Sequence, residues 1–396
     1  MMQISPETQL FIREHSSDDV RVLALQAKKY PDIDMPTAIT QIAGRKVAAE
    51  KIPSWWEIEK IWYPKHLSLE QCSSEITARY KARLLQGDSL TDLTGGFGID
   101  CSFLATGFKS ATYVERQEEL CEIAAHNFPV LNLNHINIKN EDGVTYLQVM
   151  SPVDCLFLDP ARRNEHGGKT VAISDCEPNV AELEELLLQK ANRVMIKLSP
   201  MLDLSLALKE LKQTQEVHIL SVNNECKELL ILLGQTSPAE ISIHCVNLFT
   251  KGTQKEQHFV FTREQEQCSE CTYTDSLETY LYEPNASLLK AGAFRSIAAA
   301  YPVRKLHPNS HLYTSDTFIE NFPGRIFRIV NQCSFNKKEV KENLADLKKA
   351  NGTVRNFPAT VAELRKRIHL AEGGDTYLFA STLNNGQKVL IRCEKV

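Results

Sequence analysis

The sequence predicts an α/β protein built on a mostly parallel, doubly wound sheet, with helices ahead of it and smaller α+β modules behind. Three observations carry that expectation. Between about residues 66 and 240, short apolar runs alternate with amphipathic stretches, the pattern of a parallel sheet covered by helices. The first of these strands runs into a glycine-rich turn, TDLTGGFGIDC at 91–101. The segment closes on two strands, EVHILSV and KELLILL, joined only by Asn223-Asn224-Glu225. That junction has no room for a crossover helix, so the last strand must run antiparallel.

Taken in order, residues 1–65 read as a helical domain of three pieces, SSDDVRVLALQAKKY, MPTAITQIAGRKVAAEKI and PSWWEIEKIWYP. Trp55, Trp56, Trp62 and Tyr63 have helical spacing and read as a packing seam rather than a base-stacking platform. Residues 66–240 form the α/β domain: helix SSEITARYKARLL, strand SLTDL, the glycine turn and a helix, then strand ATYVE and helix QEELCEIAAHNF. A short strand near Ile136–Lys139 follows, then helix DGVTYLQVM, strand VDCLFLD, helix NVAELEELLLQ, strand RVMIKLS, helix DLSLALKELK and the closing pair. Residues 241–320 read as a middle module, a hairpin (EISIHCVNLF, EQHFVFT) and one helix, NASLLKAGAFRSIAAAY. Residues 321–396 read as a final α+β module with turns at Asn351-Gly352 and Asn385-Gly386, the latter a hairpin signal.

Composition is that of a globular chain, 43% hydrophobic and 24% charged. The N-terminus lacks the basic and apolar runs of a secretory signal, and no stretch approaches a membrane span, so a cytoplasmic location is expected. Eleven cysteines lie mostly in apolar runs, as reduced thiols do. The pair Cys268/Cys271 lacks the second pair a structural zinc site needs, and His244, Cys245 and His258 complete one only by selection after the fact. No metal site is expected. Net charge is −5, yet residues 321–396 hold 14 Lys+Arg against 7 Asp+Glu. A basic terminal module on an acidic body is consistent with a nucleic-acid partner and equally with a solvated helix face.

The glycine turn narrows the ligand. A dinucleotide fingerprint starting at Gly96 lacks its third glycine, where Cys101 stands, and no phosphate-cradling G-x-x-x-x-G-K-[ST] occurs. Asp92, Thr94, Gly95, Gly96 and Gly98 fit another template: an acid ending the first strand, then a turn without obstructing side chains. S-adenosylmethionine (SAM) has an α-ammonium and no pyrophosphate, which suits a carboxylate beside open backbone. Glu115, with Arg116 next to it, ends the second strand, where an acid accepts ribose hydroxyls. Asp142 and Gly143 follow the third strand, placed for the adenine amino group. The fourth ends in Asp159-Pro160-Ala161-Arg162-Arg163, where reacting groups lie in such sheets.

Residues 89–234 thus resemble class I SAM-dependent methyltransferases. The whole chain, ending in GRIFRIV and FPATVAELRKRIHLAEGGDTYLFAST, resembles bacterial methyltransferases with a C-terminal THUMP-like domain. The resemblance implies a Rossmann-like sheet of seven strands with the last antiparallel, SAM as cofactor, and an RNA substrate such as tRNA or rRNA. Gln71 resembles a cofactor-covering glutamine of the uracil-5 RNA methyltransferases, although Ser73 or Ser74 as a helix N-cap accounts for the segment equally well. LDPAR also resembles that group, but Leu198 stands in IKLSP where its nucleophilic cysteine is required. The motif position that carries a base-stacking aromatic in amino-group methyltransferases is Arg162. The expected reaction is therefore direct transfer to a nitrogen or oxygen, with Asp159 as hydrogen-bonder or base and Arg162 or Arg163 on an anionic group. A protein or small-molecule acceptor, and a SAM-binding RNA-binding protein without turnover, are the alternatives. The sequence is silent on oligomeric state.

Overall fold

A computed structural model describes residues 4–162, 172–236 and 238–396. Two compact units emerge, Met1–Gln215 with Leu230–Pro238, and Glu216–Leu229 with Ala239–Val396.

The first unit opens with the helices Pro6–Glu14, Val20–Leu25 and Met35–Lys51, each started by a side-chain cap (Ser5, Asp19, Asp34) and closed around Phe11, Leu23, Met35, Ala38 and Ile42. Trp55 and Tyr63, each 2% exposed, then pack with Phe97 of the glycine turn. Trp62 stacks on His126 at 3.7 Å. These aromatics join helices to sheet, as their spacing suggested, while Trp56 stays exposed beneath Arg45.

The parallel strands are β1 (Ser89–Asp92), β2 (Ser110–Glu115), β3 (Ile136–Asn140), β4 (Val153–Leu158) and β5 (Ala191–Leu198). They pair in parallel in the order β3-β2-β1-β4-β5, and β1 is the centre from which the order runs both ways. Such a reversal opens a crevice beyond the carboxyl ends of the strands. β6 (Thr214–Val222) and β7 (Glu225–Gly234) form the closing hairpin, and β7 lies between β5 and β6. Asn223 (φ 50°) and Asn224 (φ 67°) both occupy the left-handed region, the requirement of a tight two-residue hairpin turn. The antiparallel last strand expected from the sequence is thus present. Leu229–Leu233 are fully buried, so β7 is covered on both faces.

In the second unit, β8 (Ser242–Leu248) and β9 (Glu256–Phe261) form a hairpin whose first strand pairs in parallel with β6. The sequence placed this hairpin in a separate module; backbone hydrogen bonding of β8 along the edge of β6 joins it to the same sheet instead. A second sheet contains β10 (Tyr280–Pro284), β11 (Arg304–Lys305), β12 (Tyr313–Ser315), β13 (Gly324–Ser334), β14 (Asn351–Val354), β15 (Thr376–Thr382) and β16 (Lys388–Lys395), in the order β11-β12-β10-β13-β16-β15-β14. It is continuous across residue 320, because β13 pairs with both β10 and β16. Asn351-Gly352 is not a turn but the start of β14, paired in parallel with β15. The single helix expected at 285–301 is two, Ala286–Ala291 and Ser296–Ala300, broken where Gly292 turns left-handed (φ 78°). Among the described residues no helix is long and apolar enough to cross a membrane.

Candidate cofactor and catalytic site

β1 is buried along nearly its whole length and ends at Asp92, which is 1% exposed. One carboxyl oxygen accepts the Thr94 N–H at 3.0 Å, and the other, Oδ2, is buried without a hydrogen-bond partner among the described residues. Burial pushes this carboxyl up to about 8, against the pull of the Thr94 N–H. The chain then turns through Gly96 (φ 54°) and Gly98 (φ 86°), and Gly98 caps the helix Ile99–Ala105. The turn is clamped by the Gly95 N–H donating to the Val114 carbonyl, 2.9 Å, and by the Tyr113 hydroxyl donating to the Gly96 carbonyl.

The glycines divide by purpose. A Cβ on Gly95 would sit 2.3 Å from the Tyr113 ring, and one on Gly143 would sit 2.1 Å from the Leu93 carbonyl oxygen. These two are demanded by packing. Among the described residues, a Cβ on Gly96 would approach nothing nearer than the Thr94 carbonyl at 3.8 Å, so its surroundings there are open, and only its φ requires glycine. Gly143→Ala is therefore expected to lose about 1–3 kcal/mol through backbone displacement. A urea midpoint within experimental error of wild type would refute that close approach.

Glu115, at the end of β2, reaches across to the turn. Its Oε2 accepts the Gly96 N–H at 2.9 Å and its Oε1 the Gln117 N–H at 2.8 Å. Asp142 caps the helix Gly143–Val149, accepting the Val144 and Thr145 N–H groups. Arg116 pairs with Glu177 at 3.3 Å, both side chains exposed. Gln71 lies exposed at the end of the helix His66–Gln71, and Ser73, two residues on, is the side chain that enters the site.

At the end of β4 the Asp159 N–H donates to Thr94 Oγ1 at 2.6 Å, tying the fourth strand to the glycine turn; Pro160 behind it is buried. Arg162 has its backbone in a short ribbon with Cys176, while its side chain, and Arg163 entirely, lie outside the described residues. Asp159 meets Lys197 of β5, Nζ to Oδ2 2.5 Å. Lys197 also contacts Asp100 Oδ2 at 3.2 Å and Ser73 Oγ at 3.0 Å. Asp100 in turn is bound by Lys81, Nζ to Oδ1 3.0 Å, and by the Ser73 hydroxyl at 2.7 Å. Burial alone would raise the Asp100 carboxyl, but Lys81, Lys197 and Ser73 bring it down to about 2. Burial raises Asp159, with Lys197 opposing.

The sequence reading missed Ser73, Lys81 and Asp100 as site residues and attached no role to Lys197. The one available signal was a lysine within an apolar strand, RVMIKLS, and another within YKARLL. The assembled site holds an open, left-handed glycine turn, a partnerless buried carboxyl, a second acid at the neighbouring strand end and a lysine-held carboxyl across from them. That donor set fits a nucleoside carrying an ammonium, the chemistry of SAM.

Comparison with known proteins places the chain. Residues 280–323 match a family described as a ferredoxin-like domain, and residues 324–395 one described as THUMP domain-like. The crystal structure of a candidate methyltransferase from Porphyromonas gingivalis W83 matches at 34% identity, covering 100% of both chains with a TM-score of 0.87. This chain belongs to that family. In this chain the methyltransferase fold is followed by ferredoxin-like and THUMP-like domains. No curated protein matches the sequence. An rRNA methylase from Streptococcus thermophilus (16% identity, 40% of this chain and 93% of that one, TM-score 0.30) and a candidate methyltransferase from Streptococcus mutans crystallised with SAH (14%, 40% and 96%, 0.30) are too distant to bear on activity.

In the THUMP-like domain the arginines are engaged. Arg355 and Arg325 both bind Glu283, which is 1% exposed, Arg355 at 3.1 Å. Arg365 pairs with Glu372 at 2.9 Å, and Arg367 lies over the Phe335 ring at 4.0 Å. Lys366 and Arg367 remain exposed side by side.

Proposed function

We propose that this protein is a SAM-dependent methyltransferase that methylates a nitrogen or oxygen of RNA by direct in-line transfer, without a covalent cysteine intermediate. The observation that carries the reading is the partnerless Asp92 carboxyl oxygen beside the open Gly96 turn, with Glu115 at the next strand end. Asp92 would take the ammonium, directly or through water, and Glu115 the ribose hydroxyls, with Thr94, Gly98 and Asp142 completing the cradle. The cofactor would supply a methyl group on a sulfonium, an already activated carbon. Alignment and proton removal are left to the protein.

Asp159 is the residue placed for that work. It lies at the carboxyl end of β4, and Lys197 holds its carboxylate in one orientation. It accepts a hydrogen bond from the acceptor N–H or O–H and takes the proton as the new bond forms. Lys197, locked to Asp100 and Ser73, is a positioning residue. Direct transfer is supported by chemistry as well as position. Leu198 is buried where a nucleophilic cysteine would be needed, and burial pushes the Cys72 and Cys121 thiols up to about 11 and raises Cys101 well above the ordinary thiol range, so these thiols stay protonated.

The test uses methyl-labelled SAM with total RNA from a strain lacking the gene, and that strain's soluble protein in parallel. Label is expected in RNA, with Asp159→Asn lowering turnover by about 10²–10⁴-fold while leaving SAM affinity near wild type. Label in protein alone would replace RNA by a protein acceptor. SAM binding with no transfer to either would remove the catalytic assignment.

A further inference from the structure

Strands β6, β8 and β9 carry a row of imidazoles outside the site described above. Glu216 and His218 stand two residues apart on β6 and so share a face. β8 pairs in parallel with β6 and sets His244 directly opposite His218. β9 extends the row with His258. The His218 and His244 rings stack at 4.3 Å and 16°, and His244 and His258 at 5.3 Å. Glu216 Oε2 lies 3.3 Å from His218 Nε2, and His258 Nε2 lies 3.1 Å from His244 Nδ1. One ligand atom from each of Glu216, His218 and His244 falls within 4.8 Å of the others.

We propose that Glu216, His218 and His244 form a binding site for a divalent transition-metal ion of the zinc class. Two imidazoles and a carboxylate are a donor set zinc accepts, and such a site leaves a fourth position for water. Tetrahedral bonds of about 2.1 Å place neighbouring donors roughly 3.4 Å apart, the spacing Glu216 and His218 already have. Modest rotation of His244 closes the third edge. His258 contacts one ring nitrogen of His244 and orients the ring, leaving the other for the ion. The donors stand on paired strands, which gives the site a rigid base. Cys245, fully buried, alternates to the opposite face of β8 and takes no part, and Cys268 and Cys271 lie elsewhere in the chain. The site shares no residue with the proposed cofactor site and stands independently of that reading.

The full-length protein, stripped with chelator and returned to buffer, is titrated with Zn²⁺ against a chromophoric competitor and with Co²⁺ by visible absorption. One equivalent of zinc is expected at a Kd below about 1 μM, with a Co²⁺ d–d band showing imidazole and carboxylate ligation. His244→Gln should weaken binding at least about 100-fold with an unchanged circular dichroism spectrum, and His258→Gln by about 10- to 100-fold. Should His244→Gln misfold, Glu216→Gln, at a side chain 33% exposed, reads the same loss. A double Cys268→Ser/Cys271→Ser variant should bind as wild type. Absence of stoichiometric binding, retention of wild-type affinity in the folded variants, or loss in the cysteine variant would each overturn the site.

Discussion

Lys81→Met should lose about 3–5 kcal/mol of stability, the largest effect expected of any single substitution in the first unit. Methionine keeps the length and apolar stem of lysine and deletes its charge. Lys81 is fully buried and binds Asp100 at 3.0 Å and Ser73 at 2.9 Å, so its loss leaves Asp100 buried with half its compensation. Asp100→Asn in the same background should recover much of the loss, because the uncompensated charge has gone; the two changes are strongly coupled. The pH dependence has a definite sign. Asp100 is lowered to about 2 from its ordinary value near 3.8, so the stability it contributes is present above pH 4 and lost as pH falls toward 2. Urea unfolding of wild type, single and double variants measures all of this. A loss under 1 kcal/mol for Lys81→Met would mean that water reaches the pair and the network is not dry.

Asp92→Asn should weaken SAM binding by roughly 10- to 100-fold, the value of a charge-assisted hydrogen bond in a buried site. In wild type the affinity should also tighten with rising pH. Asp92 is pushed up to about 8 when the pocket holds no ligand, so near pH 6 its carboxyl is protonated. A cationic ligand favours the ionised form, and binding must release the proton. Affinity should therefore rise by up to about tenfold per unit from pH 6 to 8 and then level, while Asp92→Asn shows a flatter profile. Calorimetry in buffers of different ionisation enthalpy reads the released proton directly. A pH-independent affinity in wild type would separate Asp92 from the ammonium. The same shift works against the ligand-free fold: a raised carboxyl contributes stability below pH 4 that is lost as pH rises toward 8.

The acids at the strand ends were legible because each is a local feature. A short apolar run shows where a strand stops, so Asp92, Glu115 and Asp159 could be placed from a few residues on either side. Gly96 and Gly98 were legible for the same reason, since a strand-to-helix turn of that length needs left-handed backbone. The tight Asn223-Asn224 junction fixed the hand of the closing strand pair by chain length alone. These local rules determined the fold class and the strand-end residues of the candidate site.

Where partners are distant, local rules had no purchase. Lys197 meets Ser73 across 124 positions and Asp100 across 97, and no window of sequence contains both ends of either contact. Arg355 reads as surface charge until β10 and its neighbours bring it to the buried Glu283. Gly143 looks like a ligand-facing glycine until Leu93 is seen 2.1 Å from where its side chain would be. Asn351-Gly352 has turn chemistry, yet parallel pairing with β15 makes it a strand. The sequence by itself determined the succession of strands and helices, the tight closing turn and the acids at the strand ends, because those follow from spacing along one stretch of chain. Tertiary structure alone decided which charges are compensated, which glycines are packed and which histidines share a face, because desolvation and close packing depend on segments that meet only when the chain has folded.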